Sequence, residues 1–584
     1  MTSQVLSSAS LLAIDIGTIS TRAFLFDVVN DNYRFIASGI APTTNAPPFN
    51  DIRAGVTRAL QRLQDVTGRT LVGTNGSLIT PSRQDGSGVD TVAATLSAGP
   101  EIKIVAVGLL DNVSLESARN LAKTTYASVV ETISLNDRRK QDARIDAILG
   151  THADMIIVAG GIDDGASQSV HKLLEAVGLA CYLISKEQRP TVLFAGNNSI
   201  REEVEEALAH ITDLHISPNI RPAIHIERLS PAQPSMVEVF KHVRAQQLFG
   251  VSDLNQWAGG RLIPSALGLG RVIQFLSKIY APQKNVLGID VGASSTTIAS
   301  ANQGDLTLRV FPQLGLGAKL GEILHYIPLE KITPWLFTET PKETTRDYIY
   351  NKAVYPASIP TTEEDMAIEQ AITRQIIRTA VHQVTSTPSF DDKRPASGLL
   401  PWCEPILVTG SVLTNAPTPG QSLLMLLDGL QPTGITTLVL DQNNIINSLG
   451  AAAEANPLLT VQLLESNAFL NLATVIAPVG RTRIGAPILR INATLSDGKE
   501  SSVEVKYGTI EVIPVPLGQS AKLHLRPLHR FDVGMGGPGK SGRVHVSGGV
   551  LGIVIDARGR PLQLATDPGR RREMFKRWLW TLGN

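Results

Sequence analysis

The sequence carries one short pattern twice: two apolar runs joined by a turn that contains glycine and hydroxyl residues. The first copy spans residues 11–27 and the second spans residues 287–298. In each copy an aspartate precedes the turn glycine by two positions, and the two apolar runs around a short polar turn predict a β-hairpin. Because a glycine turn lets backbone N–H groups close on an anion, each half of the chain is predicted to contain a phosphate-binding hairpin.

The first hairpin offers the groups that a magnesium-bound phosphate requires. Asp15 stands at the end of the first strand, where a carboxylate can hold a hydrated Mg²⁺. Gly17 has no Cβ, and the hydroxyls of Thr18, Ser20 and Thr21 add hydrogen-bond donors. The second copy strengthens this interpretation, because it again places aspartate, glycine and hydroxyls between apolar strands.

Composition bounds the class of protein. A chain of 584 residues exceeds what one hydrophobic core usually serves, so we expect two to four domains. The 43% of hydrophobic and 18% of charged residues are typical of a globular protein. Lys plus Arg and Asp plus Glu both number 53, so no global field favours binding to nucleic acid or to an anionic membrane.

Cysteine content and hydropathy indicate the compartment. Cys181 and Cys403 are the only cysteines, which excludes a disulfide framework and favours a reducing compartment, so we expect a cytoplasmic protein. Residues 1–10 lack the basic region of a secretory signal. No uninterrupted apolar run reaches about 18 residues, so we expect no membrane-spanning helix.

The order of predicted elements indicates an α/β architecture. Between residues 101 and 220, continuous apolar strands alternate with amphipathic helices, a pattern typical of parallel strands with helices on both faces. A helix over 50–65 is predicted to be capped by Asn50, and a long helix over 361–382 begins with a Thr-Thr-Glu-Glu cap. Two α/β halves, each opened by a hairpin, predict a cleft between them.

The last part of the chain has a different character. Beyond residue 456, short β-branched runs separated by Gly and Pro predict a separate β-rich barrel or sandwich. The basic stretch 570–582 places its large apolar side chains on one helical face: Met574, Phe575, Trp578, Leu579 and Leu582. This face can pack onto its own domain or dock on a partner or membrane surface, and the sequence leaves both open.

Five segments resemble, in the required order, the motifs of the actin/Hsp70/sugar-kinase (ASKHA) ATPase superfamily. They resemble the first phosphate motif, the first connecting helix, the second phosphate motif, the adenosine motif and the second connecting helix, at residues 14–23, 264–270, 289–297, 405–413 and 446–453. Residues 18–23 are close to the version in glycerol-type sugar kinases. The resemblance implies two RNase H-like domains that clamp Mg-ATP between paired hairpins.

The resemblance also assigns roles to residues. It implies that ATP and Mg²⁺ are the cofactors, that Asp15 and Asp290 hold the metal through water, and that Gly410 and Ser411 face adenosine. Amides, hydroxyls and one arginine would hold the phosphates, from Gly17, Thr18, Ser20, Thr21, Arg22, Gly292, Ser294, Ser295 and Thr296. For the arginine, a merely exposed position on the hairpin is the alternative.

Within the superfamily, the sequence most resembles the MutL/GlmL-like proteins, accessory factors associated with B12-dependent glutamate mutase. The specific segments are 155–165, 192–197 and 304–306, and the resemblance covers roughly residues 10–455. It implies a protein partner, a B12-dependent mutase. It also implies a reactivating, chaperone-like role in which domain closure over Mg-ATP changes the affinity for that partner.

Two positions depart from the superfamily pattern. Ala293 stands where relatives tend to carry a second glycine, so backbone approach to the phosphates is more hindered. Ile263 stands where Hsp70-like members place a glutamate that orients the attacking water, and isoleucine cannot accept a proton. The sequence therefore supports ATP binding better than hydrolysis, leaves weak ATPase activity open and assigns no catalytic residue.

Residues 534–541 match the consensus sequence of a second kind of phosphate site, the P-loop. A P-loop requires a helix that starts at its lysine, so that the helix N-terminus faces the phosphate. Residues 542–549 instead predict a turn and a strand. We interpret this segment as a glycine-rich loop of the C-terminal β-rich region.

The sequence thus predicts an α/β fold with two RNase H-like, actin-like ATPase domains around a nucleotide cleft, followed by a β-rich domain. The predicted domains are residues 1–255, with an α/β extension, 256–455, and 456–584, with the basic tail helix. The favoured function is an ATP-binding accessory protein that acts on a partner enzyme. The alternatives are a small-molecule, sugar-type kinase in the same cleft and a scaffold with a degenerate cleft.

Overall fold

The computed structural model describes residues 10–165, 167–280, 284–386 and 398–583. Contacts between residues divide the chain into two compact units, of which the first covers Met1–Val28 and Ile36–Gly268 and the second covers Val29–Phe35 and Leu269–Asn584. The N-terminal segment that lacks the basic region of a secretory signal lies outside the described residues, except for Ser10. In the described ranges, no helix has both the length and the apolar character needed to cross a membrane.

The first unit contains the sheet that carries the first hairpin. Its strands are β1 Leu11–Ile16, β2 Ser20–Val29, β3 Asn32–Pro42, β4 Thr91–Leu96 and β10 Leu262–Pro264. They lie side by side in the order β10-β4-β1-β2-β3. β1 pairs antiparallel with β2 and parallel with β4, and every residue of β1 is buried, which explains its nearly continuous apolar sequence.

A second sheet of this unit is entirely parallel. Its strands are β5 Ile102–Gly108, β6 Ala127–Ile133, β7 Met155–Ala159, β8 Thr191–Phe194 and β9 Leu214–Ile216. They lie in the order β6-β5-β7-β8-β9. The predicted alternation of strands and helices in this part of the chain is confirmed.

Helices connect and cover these sheets. They are α1 Arg53–Thr67, α2 Glu116–Ala122, α3 Gln141–Thr151, α4 Ser167–Leu183, α5 Arg201–Leu208, α6 Gln233–Gln247 and α7 Val251–Trp257. The next helix, α8 Ser265–Ile279, begins in this unit and continues into the second. The prediction that Asn50 caps α1 is wrong. Asn50 has a positive φ of 44° in the preceding loop, and the Asp51 carboxylate accepts the hydrogen bond from the backbone N–H of Arg53 instead.

The second unit contains an eight-stranded sheet that carries the second hairpin. Its strands are β11 Asn285–Val291, β12 Thr296–Asn302, β13 Asp305–Phe311, β14 Cys403–Thr409, β15 Gly434–Leu440, β16 Leu470–Ala477, β19 Ile510–Ile513 and β22 Ile553–Asp556. They lie in the order β13-β12-β11-β14-β15-β16-β22-β19. The order β3-β2-β1-β4-β10 of the first unit thus recurs as β13-β12-β11-β14-β15, which confirms the predicted pair of RNase H-like sheets.

Helices of the second unit pack around this sheet. They are α9 Leu329–Ile332, α10 Lys342–Val354, α11 Glu363–Thr385, α12 Ser411–Thr414, α13 Pro419–Leu430, α14 Ile446–Ala452, α15 Pro457–Leu464 and α16 Pro568–Thr581. The cap predicted for α11 is confirmed, because the Thr362 side chain accepts a hydrogen bond from the backbone N–H of Asp365.

The C-terminal region is β-rich, as predicted, and its strands are shared between two sheets. β17 Pro487–Leu495, β18 Glu500–Lys506, β20 Ser520–Pro527 and β21 Gly542–Ser547 form a sheet of their own, in the order β18-β17-β20-β21. β16, β19 and β22 extend the hairpin sheet instead. Residues from Leu269 onward belong to one compact unit, so the domain boundaries at 255 and 455 stay predictions. The P-loop-like segment leads directly into β21, a strand, as predicted.

The tail helix α16 packs its apolar face into the core of the second unit. The ring centroid of Phe575 lies 5.2 Å from that of Trp578 and 6.1 Å from that of Trp335. The guanidinium groups of Arg374 and Arg558 lie over the rings of Phe575 and Trp578, respectively. Of the two alternatives for this face, the structure shows packing onto the tail's own unit.

Candidate functional site

The first hairpin turn is held closed by its own backbone. The Gly17 N–H donates to the Ser20 carbonyl over 3.0 Å, and a Cβ on Gly17 would lie only 3.1 Å from that oxygen. The Thr43 hydroxyl donates to the Gly17 carbonyl over 2.8 Å. The Thr18 hydroxyl is buried and has no hydrogen-bond partner within the described part of the chain. A buried donor left free at the turn fits a ligand oxygen.

Asp15 occupies the centre of a row of side chains across three strands. Arg22 on β2 and Thr95 on β4 are its direct cross-strand partners, so the three side chains share one face of the sheet. The Thr95 hydroxyl donates to the carboxylate over 2.6 Å and the Ser265 hydroxyl over 3.2 Å. An Arg22 guanidinium nitrogen lies 3.8 Å from the other carboxylate oxygen.

Burial raises the pKa of the Asp15 carboxyl, and the Arg22 charge and the two hydroxyl donors oppose this effect. The carboxylate is therefore held in one orientation by neutral donors and a nearby cation. Arg22, predicted to face phosphate or solvent, lies beside the candidate metal ligand and is 17% exposed. From this position its charge favours the ionised carboxylate that a hydrated cation needs.

The second hairpin repeats the geometry of the first. The Gly292 N–H donates to the Ser295 carbonyl over 3.0 Å, and a Cβ on Gly292 would lie 3.0 Å from that oxygen. Ala293 and Ser294 complete the half-buried turn. The Gly317 N–H donates to the Ala293 carbonyl over 2.8 Å, so the segment after β13 fixes the turn through a backbone hydrogen bond. Both predicted phosphate turns are thus built in the same way.

Two of the predicted phosphate donors face inward instead. The fully buried Thr21 hydroxyl lies 2.9 Å from the Thr43 hydroxyl, and the fully buried Thr296 hydroxyl donates to the Leu314 carbonyl over 2.6 Å. These threonines occupy matching positions, four residues after each turn glycine. Successive strand residues point to opposite faces, so neither threonine shares the face of the hairpin aspartate. Their hydroxyls support the turns, and Ser20 and Ser295 remain as half-buried candidates.

Asp290 also lies in a cross-strand row. Its direct partners are Thr297 on β12 and Thr409 on β14, which match Arg22 and Thr95 around Asp15. The Asn447 side-chain amide, from the first turn of α14, donates to the Asp290 carboxylate over 2.9 Å. The two predicted metal ligands therefore occupy equivalent sheet positions with different neighbours.

Sequence reasoning missed the turn that supports this second site. Between β15 and α14, the polar residues Asp441, Asn444 and Asn447 recur every three positions. The Asn444 side-chain oxygen accepts hydrogen bonds from the Gly410 N–H over 3.0 Å and from the Thr409 hydroxyl over 3.1 Å. The regular spacing was a signal, but its meaning depends on partners more than 30 residues away.

Gly410 is required by the backbone around it. Its φ is +119°, and a Cβ would lie 2.3 Å from the Val291 carbonyl oxygen of the hairpin strand. The glycine therefore brings the end of β14 against β11, next to the second hairpin. Ser411 follows as the first residue of α12. The predicted adenosine motif and second phosphate motif are thus adjacent within one unit.

Ile263 lies in β10 at the level of the Asp15 row. It pairs with Thr95, which in turn pairs with Asp15, so the three side chains share one face across neighbouring strands. Its side chain is 2% exposed and offers no hydrogen-bonding group. The geometry agrees with the sequence prediction that this position supplies no group to orient water.

The residues present fit a magnesium nucleotide. Mg²⁺ keeps several waters and is usually held by one or two carboxylates together with phosphate oxygens. Each hairpin presents one carboxylate, Asp15 or Asp290, beside a turn in which a side chain larger than glycine would crowd the backbone. Among the described residues, no three His, Cys, Asp or Glu side chains gather as a metal site, so a cage made only of protein ligands is not seen there.

Comparison with known proteins gives two sequence similarities. A family model described as MutL protein matches residues 11–468. The protein named Protein MutL from Clostridium tetanomorphum is 21% identical over 489 residues, which cover 78% of this chain and 98% of that protein. The family match includes both hairpins, the adenosine motif and the turn from Asp441 to Asn447.

Solved structures show weaker similarity. A diol dehydratase-reactivating factor in nucleotide-free form is 10% identical, with a TM-score of 0.30, over 76% of this chain and 99% of that one. Xylulose kinase from Bifidobacterium adolescentis is 11% identical, with a TM-score of 0.27, over 79% of this chain and 94% of that one.

Proposed function

Because this chain belongs to the MutL protein family, we propose that it is an accessory protein that binds Mg-ATP and acts on a partner enzyme. The observation that carries the proposal is the duplicated hairpin. Asp15 and Asp290 occupy equivalent rows, and each stands two residues before a turn closed by a Gly N–H bond of 3.0 Å. Two such sites suit the two ends of a metal-bound polyphosphate.

Calorimetric titration with Mg-ATP, Mg-ADP and metal-free ATP tests nucleotide binding directly. We expect saturable binding that weakens without Mg²⁺, and weaker binding in both Asp15→Asn and Asp290→Asn variants. The Asp428→Asn variant is a suitable control, since Asp428 is a fully buried carboxylate that pairs with Arg374 and Arg558. Absence of binding at millimolar nucleotide would favour the scaffold alternative and reject the proposal.

The finer proposal concerns the partner and the motion. We propose that a nucleotide engaged by both hairpins draws the two units together, and that this closure changes the affinity for a B12-dependent mutase. The sequence resemblance to glutamate mutase accessory proteins supports this partner. A mutase inactivated by a damaged cofactor should regain activity when this protein, Mg-ATP and fresh cofactor are added together. Recovery of equal size without nucleotide would contradict the coupling.

Sugar-type kinase activity is the alternative outcome in the same site. It would appear as ADP formation that depends on a small hydroxylated substrate and needs no protein partner. Without such a substrate, hydrolysis of ATP should be slow, because the buried Ile263 can neither order water nor accept a proton.

We propose a cytoplasmic location. Cys181 and Cys403 are both buried free thiols, and a reducing compartment favours free thiols.

A further inference from the structure

The two hairpin sheets differ at one equivalent position. In the first unit, the row that contains Asp15 and Thr95 continues to Ile263 on the next strand. In the second unit, Asp290 and Thr409 are followed at that level by Asp441, directly after the end of β15. The backbone N–H of Asp441 donates to the Val408 carbonyl over 2.8 Å, which continues the pairing of β14 with β15. A carboxylate therefore stands where the first unit has isoleucine.

Asp441 is fully buried and used as an acceptor. One carboxylate oxygen accepts hydrogen bonds from the backbone N–H of Ile446 over 2.8 Å and from the Thr409 hydroxyl over 3.2 Å. Ile446 is the first residue of α14, so the charge lies at the N-terminus of this helix, where a helix favours a negative group. Its other oxygen has no hydrogen-bond partner among the described residues.

The next residue of α14 connects Asp441 to the candidate metal ligand. Asn447 follows Ile446 and donates to the Asp290 carboxylate over 2.9 Å. Asn444, in the same turn, accepts the hydrogen bond of the Gly410 N–H over 3.0 Å. One seven-residue segment thus contacts both the metal-ligand candidate and the adenosine motif.

We propose that Asp441 is a positioning residue for the bound Mg-nucleotide: it fixes the first turn of α14 so that Asn447 orients the Asp290 carboxylate. This inference depends on the proposed nucleotide binding. Groups that orient a metal ligand are typically worth a factor of 10–100 in metal affinity. The role is specific to the second unit, since Ile263 cannot perform it in the first.

The test compares ATP affinity with and without Mg²⁺ in Asp441→Asn, Asn447→Ala and the double variant. The dissociation constant of ATP without Mg²⁺, divided by that with Mg²⁺, measures how much the metal contributes to binding, and we call this quotient the Mg²⁺ ratio. We expect each single substitution to reduce this ratio by about 10-fold or more, and the double variant to reduce it no further. The conservative variant Asp441→Glu should also have a Mg²⁺ ratio below that of the wild type, because the longer side chain cannot keep the same position in a packed interior.

Asp428→Asn is the matched control, since Asp428 is also fully buried in the second unit but contacts Arg374 and Arg558. We expect it to lower the melting temperature and to leave the Mg²⁺ ratio unchanged. An unchanged ratio in Asp441→Asn, or effects of Asp441→Asn and Asn447→Ala that multiply in the double variant, would overturn the positioning role.

Hydrogen exchange separates this inference from the proposed function. In the absence of nucleotide, Asp441→Asn should increase the exchange rate of the Ile446 and Asn447 amides by at least about 10-fold, while the amides of α13 stay protected. If the wild-type protein binds no nucleotide, the proposed function fails, and unchanged protection at Ile446 would then reject the positioning role on its own.

Discussion

Asp441 is a single buried carboxyl group whose protonation is coupled to folding. Burial raises its pKa from 3.8 to about 6, and the nearby negative charge of Asp290 acts in the same direction. The folded protein therefore binds this proton more tightly than the unfolded chain. The stability contributed by this group is complete below the unfolded pKa and is lost as the pH rises through about 6.

We therefore predict that the pH dependence of stability changes in Asp441→Asn. Without metal, the wild-type protein should gain about 1.4 kcal/mol relative to the variant when the pH is lowered from about 7.5 to about 5, which is roughly half of the full effect of this pKa shift. Thermal unfolding of both proteins at the two pH values measures this difference. Identical pH dependence in wild type and variant would contradict the assignment of the raised pKa to Asp441.

Gly410 gives a second prediction at the scale of one residue. Gly410→Ala places a Cβ 2.3 Å from the Val291 carbonyl and should cost about 1–3 kcal/mol beyond the strain of its positive φ. Gly537→Ala is the control, because Gly537 has a similar φ of +126° with nothing within 4 Å of the added atom. Urea unfolding measures both variants. Equal losses of stability would show that the contact with β11 contributes nothing.

Residue roles were predictable from sequence where the chemistry is local. Aspartate, glycine and hydroxyls within one turn identified both hairpins, and Asp15 and Asp290 lie near the end of the first strand of each hairpin, as the pattern predicted. The Thr21 and Thr296 hydroxyls could not be assigned in this way, since their partners Thr43 and Leu314 belong to other segments. The same reason concealed Asp441, whose role depends on Thr409 and on its own helix.

At the scale of elements, the tail helix α16 allows a comparison of two tryptophans on one helix. Trp578 is 3% exposed and lies under the guanidinium of Arg558, whereas Trp580 is 78% exposed. We predict that Trp578→Ala lowers the free energy of unfolding by about 3–5 kcal/mol through the cavity it leaves. Trp580→Ala should change it by no more than about 0.5 kcal/mol.

Denaturant unfolding, followed through the second unit, tests this pair. Similar losses in the two variants would mean that α16 does not pack into the core of the second unit through Trp578. A large loss confined to Trp580→Ala would instead point to an interface on the exposed side of the helix. The pair therefore measures separately what the buried and the exposed face of α16 contribute.

Elements were predictable where hydrophobic periodicity decides them. The parallel sheet of the first unit and the Thr362 cap of α11 follow from patterns within about 20 residues. Strand partners are not encoded locally, so β16 and β22 gave no sign that they extend the hairpin sheet rather than a separate barrel. The cap of α1 failed for a smaller reason, because Asp51 lies one residue closer to the helix than Asn50.

At the scale of the whole molecule, each unit has an apolar core of its own. One core includes β1, β4 and α1 of the first unit, and another includes β11, β14, α11 and α16 of the second. Chains with several such cores generally do not unfold in one two-state step. We therefore expect two calorimetric transitions for the protein without nucleotide.

Nucleotide binding should change these transitions in a way that reveals how the ligand is held. A ligand at 100 times its dissociation constant stabilises the binding-competent state by about 2.7 kcal/mol. If both hairpins hold the nucleotide, unfolding of either unit releases it. Mg-ATP should then raise the lower transition towards the upper one and leave the upper one nearly unchanged.

Variants of the two aspartates complete this calorimetric test. Asp15→Asn alters the first unit and Asp290→Asn the second, and each should abolish most of the shift if the ligand needs both hairpins. A shift that survives in Asp15→Asn but is lost in Asp290→Asn would place the nucleotide on the second unit alone. Closure of the two units could then not be driven by shared contacts to the nucleotide, because a ligand shifts an equilibrium only through contacts that differ between its states.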